Sequence, residues 1–246
     1  MNSLRRLLRV FDLFRPERPV IDVDVICREL GYTPATAYRY LRELGDAGFL
    51  KRLPRGYALG PRIVTLEHQM THYDPLLACS RGLVDKLVAD TGLDALVSEW
   101  HGDSVVNVLI QRGSDAGPEG GDRGRPIDLF HSATARVVLA YLLPRQIRRI
   151  YDFHANPAQV LHQELEWKPF TKGLLAIRKQ GYCISESELH PGRSGVAAPI
   201  FDEKRRVLGS MTLVGRSERF RAFQQDYLCD LVTGAASQLT ARIAQQ

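Results

Sequence analysis

The sequence predicts an α+β fold in two parts: a small basic domain over residues 1–60 and a larger one over 75–246, joined by a helix over 61–74. Three observations predict it. Residues 23–57 (VDVICRELGYTPATAYRYLRELGDAGFLKRLPRGY) spell two short helices, a tight turn and a hairpin. The excess positive charge is confined to the first part. Met1–Arg62 holds 12 Lys and Arg against 7 Asp and Glu, a surplus equal to the +5 of the whole chain, so the remainder is neutral. Beyond Pro75, strand-length apolar runs alternate with segments of helical periodicity, over a length that can bury its own core.

In the first part, Ser3 is placed to cap a helix in which Leu4, Leu7, Leu8 and Phe11 recur at helical spacing, ending before Pro16. Arg15–Pro19 is a loop, and Val20-Ile21 a short strand lying against the hairpin. Asp22 or Asp24 caps the next helix, and Gly31 stops it in the left-handed conformation. Thr33 caps a further helix opening at Pro34, where a missing N–H costs least. In that helix Ala37, Leu41 and Leu44 form an apolar stripe with Tyr40 at its edge. Ala35, Tyr38, Arg39 and Arg42 lie on the opposite face, with Thr36 beside them. Small, aromatic and basic side chains on the exposed face of a turn-preceded helix suit a DNA major groove, although a solvated surface helix carries the same residue types. The hairpin favours the first reading. Leu53-Pro54-Arg55-Gly56 has turn chemistry, and Lys51, Arg52 and Arg55 near its tip would carry positive charge to the phosphate backbone.

In the connecting helix, Ile63, Leu66 and Met70 share one side and form a candidate dimer seam. His68 and His72 stand four apart, but no third metal ligand accompanies them. From Pro75 a helix buries Leu76, Leu83, Leu87 and Val88 and ends at Gly92. Ala95–Trp100 and Val105–Ile110 read as a hairpin around His101–Ser104, and Gly113–Arg125 as a mobile surface loop. A strand is expected at Ile127–Phe130. Helices are expected at Ser132–Leu142, Pro144–His154, Ala158–Glu166 and Pro169–Gln180. Strands follow near Tyr182–Ser185, Val196–Phe201 and Val207–Val214, and a last helix runs from Phe220 to Ala244.

Cys27, Cys79, Cys183 and Cys229 are scattered without zinc or redox spacing and read as small buried thiols of a cytoplasmic protein. No apolar run is long enough to span a bilayer, and the charged N-terminus has no signal-peptide core. No G-x-S-x-G elbow, P-loop or dinucleotide fingerprint is present. Glu186 and Glu188, two apart near a strand end, face opposite sides rather than forming an acid/base pair. Neither an enzyme nor a resident metal or cofactor is expected.

The pattern Ser3…Leu7…Phe11…Leu13, then Leu30-Gly31…Thr36-Ala37-Tyr38-Arg39-Tyr40-Leu41…Leu44…Ala47-Gly48-Phe49-Leu50, then Tyr57-Ala58-Leu59-Gly60, resembles the winged helix-turn-helix of the IclR family of bacterial transcription regulators. The larger part continues the resemblance. Leu87…Thr91-Gly92, Leu129–Ala140, Arg178…Gly181-Tyr182…Glu186…Glu188 and Ala197–Asp202 fall in family order. The resemblance implies a GAF-like C-terminal domain that binds a small metabolite. The protein is then a repressor of DNA transcription working as a homodimer or tetramer, with double-stranded DNA as partner and no membrane. Its DNA contacts are Thr33, Ala35, Thr36, Tyr38, Arg39, Arg42, Lys51, Arg52 and Arg55. The competing expectation is a ligand-independent DNA-binding protein whose C-terminal domain only oligomerises.

The family's ligand pocket maps onto the helix start at Ser132, Ala133, Thr134 and Ala135, closed by strands carrying Ser185, Gly195 and Thr212. Unpaired N–H groups at such a start attract an anion. This chain departs from the family at Ala135-Arg136, where Gly-Lys is common, at Gly195, where Cys is common, and at Val214, where Ser is frequent. A thinner polar set implies a bulkier or partly aromatic acid as effector, rather than a two- or three-carbon one.

Overall fold

The computed structural model describes residues 2–114, 122–154 and 166–245. It divides the chain into two compact units, Met1–Asp74 and Pro75–Gln246. The centre of the Gly113–Arg125 loop and nearly all of the helix expected over Ala158–Glu166 lie outside the described residues.

The first unit opens with α1 (Ser3–Leu8), which is shorter than its periodicity suggests. Asn2 rather than Ser3 caps it, accepting from the Leu4 N–H, and the chain then tightens into a 3-10 turn over Phe11–Leu13. The tightening turns Val10 and Leu13 into the core and leaves Leu4 and Leu8 exposed. In α2 (Val23–Leu30), Asp22 Oδ1 accepts from Val25 N at 2.8 Å and Gly31 closes the helix at φ 66°. α3 (Pro34–Asp46) is capped by Thr33, whose hydroxyl accepts from Thr36 N at 3.4 Å. Strands β1 (Leu50–Leu53) and β2 (Gly56–Leu59) pair antiparallel, and Ile21 adds a bridge to Tyr57. Gly56 sits at φ 143°, and a Cβ there would collide with the Ile21 carbonyl, so the bridge and the turn both require glycine.

Ile21, Ile26, Ala37, Leu41, Leu44 and Leu50 fill the core of this unit. Tyr40 belongs to that core instead of edging it. It is buried and meets Tyr32 edge-on, with ring centroids 5.8 Å apart. Arg18 clamps Glu29 through both guanidinium nitrogens and donates Nε to the Leu13 carbonyl at 3.0 Å, tying the loop after the 3-10 turn to α2. The unit ends in α4 (Pro61–Tyr73), in which no residue is buried.

The second unit is a five-stranded antiparallel sheet of order β4-β3-β7-β6-β5, built from β3 (Asp94–His101), β4 (Ser104–Gln111), β5 (Cys183–Glu186), β6 (Arg193–Phe201) and β7 (Val207–Arg216). One sheet face, carrying Ala95, Val97, Val196, Ala198, Met211 and Leu213, packs against α5 (Pro75–Thr91) and the last helix. The other face meets α6 (Ala133–Leu139), against which α8 (Trp167–Gln180) packs, with α7 (Pro144–His154) between the two helices in sequence.

Two expected elements change. Ile127–Phe130 is not a strand: the ladder is limited to a Val106–Pro126 bridge. Asp128 Oδ1 instead accepts from Phe130 N at 2.9 Å and His131 N at 2.7 Å, folding the segment into a turn ahead of α6. The final helix is broken into α9 (Ser217–Arg221) and α10 (Gln225–Ile243). Phe220 is drawn into the core and Arg219 Nη2 donates to the Thr91 carbonyl at 3.1 Å, which fixes α9 in its own direction.

Candidate functional site

The exposed side of α3 carries the residues predicted for it. Thr33, Ala35, Tyr38, Arg39 and Arg42 are exposed, while Ala37, Leu41 and Leu44 point into the core. Thr36 is half-buried: its Oγ1 accepts from the Thr33 hydroxyl at 3.0 Å, which leaves its own proton and a second lone pair for other partners. The Arg39 guanidinium lies 5.3 Å from the Tyr40 ring centroid, which orients it along the helix surface. Arg42 leans on Glu43 at 3.3 Å, an exposed pair of little stability value that holds the cation near the helix face. In the hairpin, Lys51, Arg52 and Arg55 are all exposed but do not share a face. Lys51 pairs with Ala58 and Arg52 with Tyr57, so the two project to opposite sides, and Arg55 stands in the turn.

In the second unit, strand register assembles the other predicted set. Ser185, Gly195, Val214 and Asp94 form one row across β5, β6, β7 and β3. Cys183, Ala197, Thr212 and Leu96 form the next row on the same face, and Pro199, Ser210 and Ser98 a third. α6 lies over these rows. Thr134 and Thr212 hydroxyls are 3.1 Å apart, Ser210 Oγ donates to the Thr134 carbonyl at 2.9 Å, and Ser185 Oγ donates to the His131 carbonyl at 3.3 Å. Thr134, Ser185, Gly195 and Thr212 are thus brought to one polar seam.

The start of α6 differs from expectation. Ser132 makes no side-chain capping bond, Ala133 and Ala135 are packed in the core, and the helix is only 7 residues long. Arg136 reaches the other way. It ion-pairs with Glu188 at 2.9 Å and donates to the Ile184 carbonyl at 3.3 Å, while its buried Nε has no partner. Burial pushes the neighbouring Cys183 thiol up to about 11, which keeps it protonated.

Beyond the predicted set, the same face carries a charged cluster. Asp94 Oδ1 accepts from Gly113 N at 2.8 Å, and its Oδ2 from Arg112 at 3.0 Å and Arg193 at 3.5 Å. An open cavity of about 420 Å³ lies elsewhere, where β6 outruns β5, lined by Tyr141, Gln180, Tyr182, Phe201, Arg205 and Asp230. None of the predicted residues lines it. His72 Nδ1 donates to the His68 carbonyl at 2.8 Å, which takes up one of the two nitrogens a metal would need there. No described helix is long and apolar enough to cross a membrane.

A helix-turn-helix unit with a hairpin wing, followed by an α+β unit with a polar seam between sheet and helix, defines the architecture of a one-component DNA-binding regulator. Comparison places it more closely. Residues 68–241 match the family description "Bacterial transcriptional regulator IclR C-terminal" and residues 3–54 match the IclR helix-turn-helix domain. The chain belongs to the IclR family of transcriptional regulators and is not an enzyme. It is 24% identical to the Pca regulon regulatory protein of Pseudomonas putida over 229 residues, covering 89% of this chain and 77% of that one. It is 22% identical to the regulator XynR of Escherichia coli, covering 87% and 85%. Among solved structures, an IclR regulator from Silicibacter superposes with a TM-score of 0.87 at 24% identity, covering 99% and 96%. An IclR homologue from Microbacterium hydrocarbonoxydans, complexed with 4-hydroxybenzoate, superposes at 0.77 and 15% identity over the full length of both chains.

Proposed function

We propose that α3 reads an operator in the DNA major groove and that an organic acid bound between α6 and the sheet controls repression. The observation that carries the DNA half is the exposed, capped face of α3, with Tyr38, Arg39 and Arg42 standing outside a fully packed interior. Ala35, Thr36 and Arg39 lie nearest the bases because they sit toward the N-terminal end of the helix, and Thr33 and the wing residues hold phosphates. One recognition helix reads few base pairs, so two copies act together. The exposed Leu66 and Met70 of α4, beside the half-buried Ile63, supply the seam.

The effector half rests on the seam formed by Thr134, Ser185 and Thr212 around Gly195. The structural relative is complexed with 4-hydroxybenzoate, which supports an aromatic acid as effector, and the thin polar set here suits a ligand of that kind. The test is paired. Arg39→Ala should lose about 1–3 kcal/mol of operator discrimination in gel-shift titration while the fold is kept. Thr212→Leu should leave DNA binding intact and abolish the response to effector. Selective operator binding by Arg39→Ala, or wild-type ligand response in Thr212→Leu, overturns the respective half. A monomer in light scattering, with and without DNA, overturns the two-copy assembly.

A further inference from the structure

Three arginines of the first unit rest on carboxylates: Arg18 and Arg28 on Glu29, and Arg42 on Glu43. Arg6 does not. Among the described residues no carboxylate meets it, and its guanidinium carbon lies instead 4.4 Å from the centroid of the Tyr32 ring. Tyr32 is buried, and its hydroxyl donates to the Arg6 carbonyl at 3.0 Å. That carbonyl is left without its helical partner, because Val10 N bonds the Leu7 carbonyl where α1 tightens. Tyr32 therefore finishes α1 and also offers the half-buried Arg6 a ring to lie on. A second tie runs beside it, from Ser3 Oγ to Tyr40 Oη at 3.3 Å.

The ring that carries Arg6 stands at the start of α3. Tyr32 immediately precedes Thr33, the cap of that helix. It meets the Tyr40 ring edge-on at 5.8 Å, and over Tyr40 lies Arg39, at 5.3 Å. Arg6 and Arg39 thus share one aromatic pair, and neither has a carboxylate among the described residues. The Tyr40 phenol is held below its ordinary range by the Ser3 hydrogen bond first and by both guanidiniums as well, which sets the two cations around the same ring. Lying on a ring occupies the face of a guanidinium and leaves its five N–H groups, which point outward in its plane, for an anion.

We propose that α1 is a DNA-contacting element through Arg6, whose guanidinium receives a backbone phosphate on the strand bordering the groove that α3 enters. The assignment rests on the proposed reading of the operator by α3. The fork of arginine spans two phosphate oxygens, and the Tyr32 ring holds it at the α3 start without neutralising it. A backbone contact of this kind adds affinity on every sequence and positions the recognition helix without choosing bases.

The experiment uses the full chain. A fluorescein-labelled duplex of arbitrary sequence, and one selected by the wild type from a random pool, are titrated by anisotropy across a salt series. Arg6→Gln should lower the slope of log affinity against log salt by about 0.9 on both duplexes and weaken both by on the order of tenfold at about 0.1 M salt, leaving the ratio between them unchanged. Arg6→Lys should restore most of the slope. Arg5→Gln removes the same charge from the neighbouring residue, which does not touch the tyrosines, and should leave the slope near that of the wild type. Circular dichroism checks the fold, and should Arg6→Gln not fold, Arg6→Met, whose unbranched stem still covers Tyr32, gives the same comparison. An unchanged slope in the folded variant, with or without a loss of stability, reduces Arg6 to a cover for Tyr32 and overturns the contact. An equal fall in Arg5→Gln reduces the effect to net charge and overturns it too. A loss confined to the selected duplex would make Arg6 a reader of bases and overturn the phosphate assignment. The reading by α3 fails separately, if Arg39→Ala binds the selected duplex as selectively as the wild type, whereas the slopes on the arbitrary duplex decide Arg6 in either case.

Discussion

Replacing Thr212 by valine exchanges a hydroxyl for a methyl of nearly equal shape at a position only 2% exposed. In the native fold its Oγ1 lies 3.1 Å from that of Thr134, which is also buried. Losing the bond itself costs about 0.5–1.5 kcal/mol, but the stranded Thr134 hydroxyl raises the expected loss toward about 1–3 kcal/mol. Thr134→Val strands the opposite hydroxyl and should cost a similar amount. The double variant leaves two methyls in contact and no polar atom without a partner. Its destabilisation should fall short of the sum of the singles by on the order of 1 kcal/mol. The assay is specific to the second unit, because both tryptophans, Trp100 and Trp167, lie within it. Urea unfolding followed by tryptophan emission therefore reports on that unit. Additivity within about 0.3 kcal/mol would refute the pairing of these hydroxyls.

Thr33→Ala removes the cap of α3 and should cost about 1 kcal/mol, seen as faster hydrogen exchange in the first turn of that helix. Lys51→Ala should weaken binding to specific and random DNA alike and lower the slope of log affinity against log salt by about 0.9, leaving operator preference untouched. An altered preference would show that the wing reads sequence. Cys183, held protonated by burial up to about pH 11, should resist iodoacetamide at pH 8, whereas the partly exposed Cys27 and Cys79 react first. Early modification of Cys183 in the folded protein would show that the seam beside it opens.

Local chemistry made the first unit legible. Asp22, Gly31, Thr33 and Pro34 act within four residues of themselves, so α2 and α3 could be bounded before any tertiary contact was known. Tyr40 could not be placed the same way, since its burial depends on Tyr32, eight residues back across the turn. In the second unit, strand existence followed from alternation, but which residues share a face required the register. Ser185, Gly195 and Thr212 entered through family resemblance, and the pairings then set them on one side.

Arg193 escaped notice because β6 starts three residues earlier than its apolar run, and because its partner Asp94 is 99 positions away. A signal was present: an arginine two residues before the glycine of an otherwise apolar, alternating strand. The turn at Asp128 was misread as a strand because Ile127, Leu129 and Phe130 are apolar. Those side chains are buried or half-buried, but only Ile127 N reaches the neighbouring strand, at the Val105 carbonyl, and the Asp128 carboxylate takes the N–H groups of Phe130 and His131. The break between α9 and α10 depends on Arg219 reaching Thr91, 128 residues earlier, which no helical periodicity records.

Strand β7 runs through the middle of the sheet with two sets of neighbours. Ser210, Thr212 and Val214 face α6, while Met211 and Leu213 face α5 and α10. Odd and even positions of one strand therefore answer to different selective demands. On the proposed placing of the effector in the seam, a change of ligand would be written into 210, 212 and 214, whose side chains turn away from the α5 and α10 core, while that core could drift at 211 and 213. On that proposal, one scaffold could diversify its chemical inputs by single substitutions while conserving the packing of the opposite face.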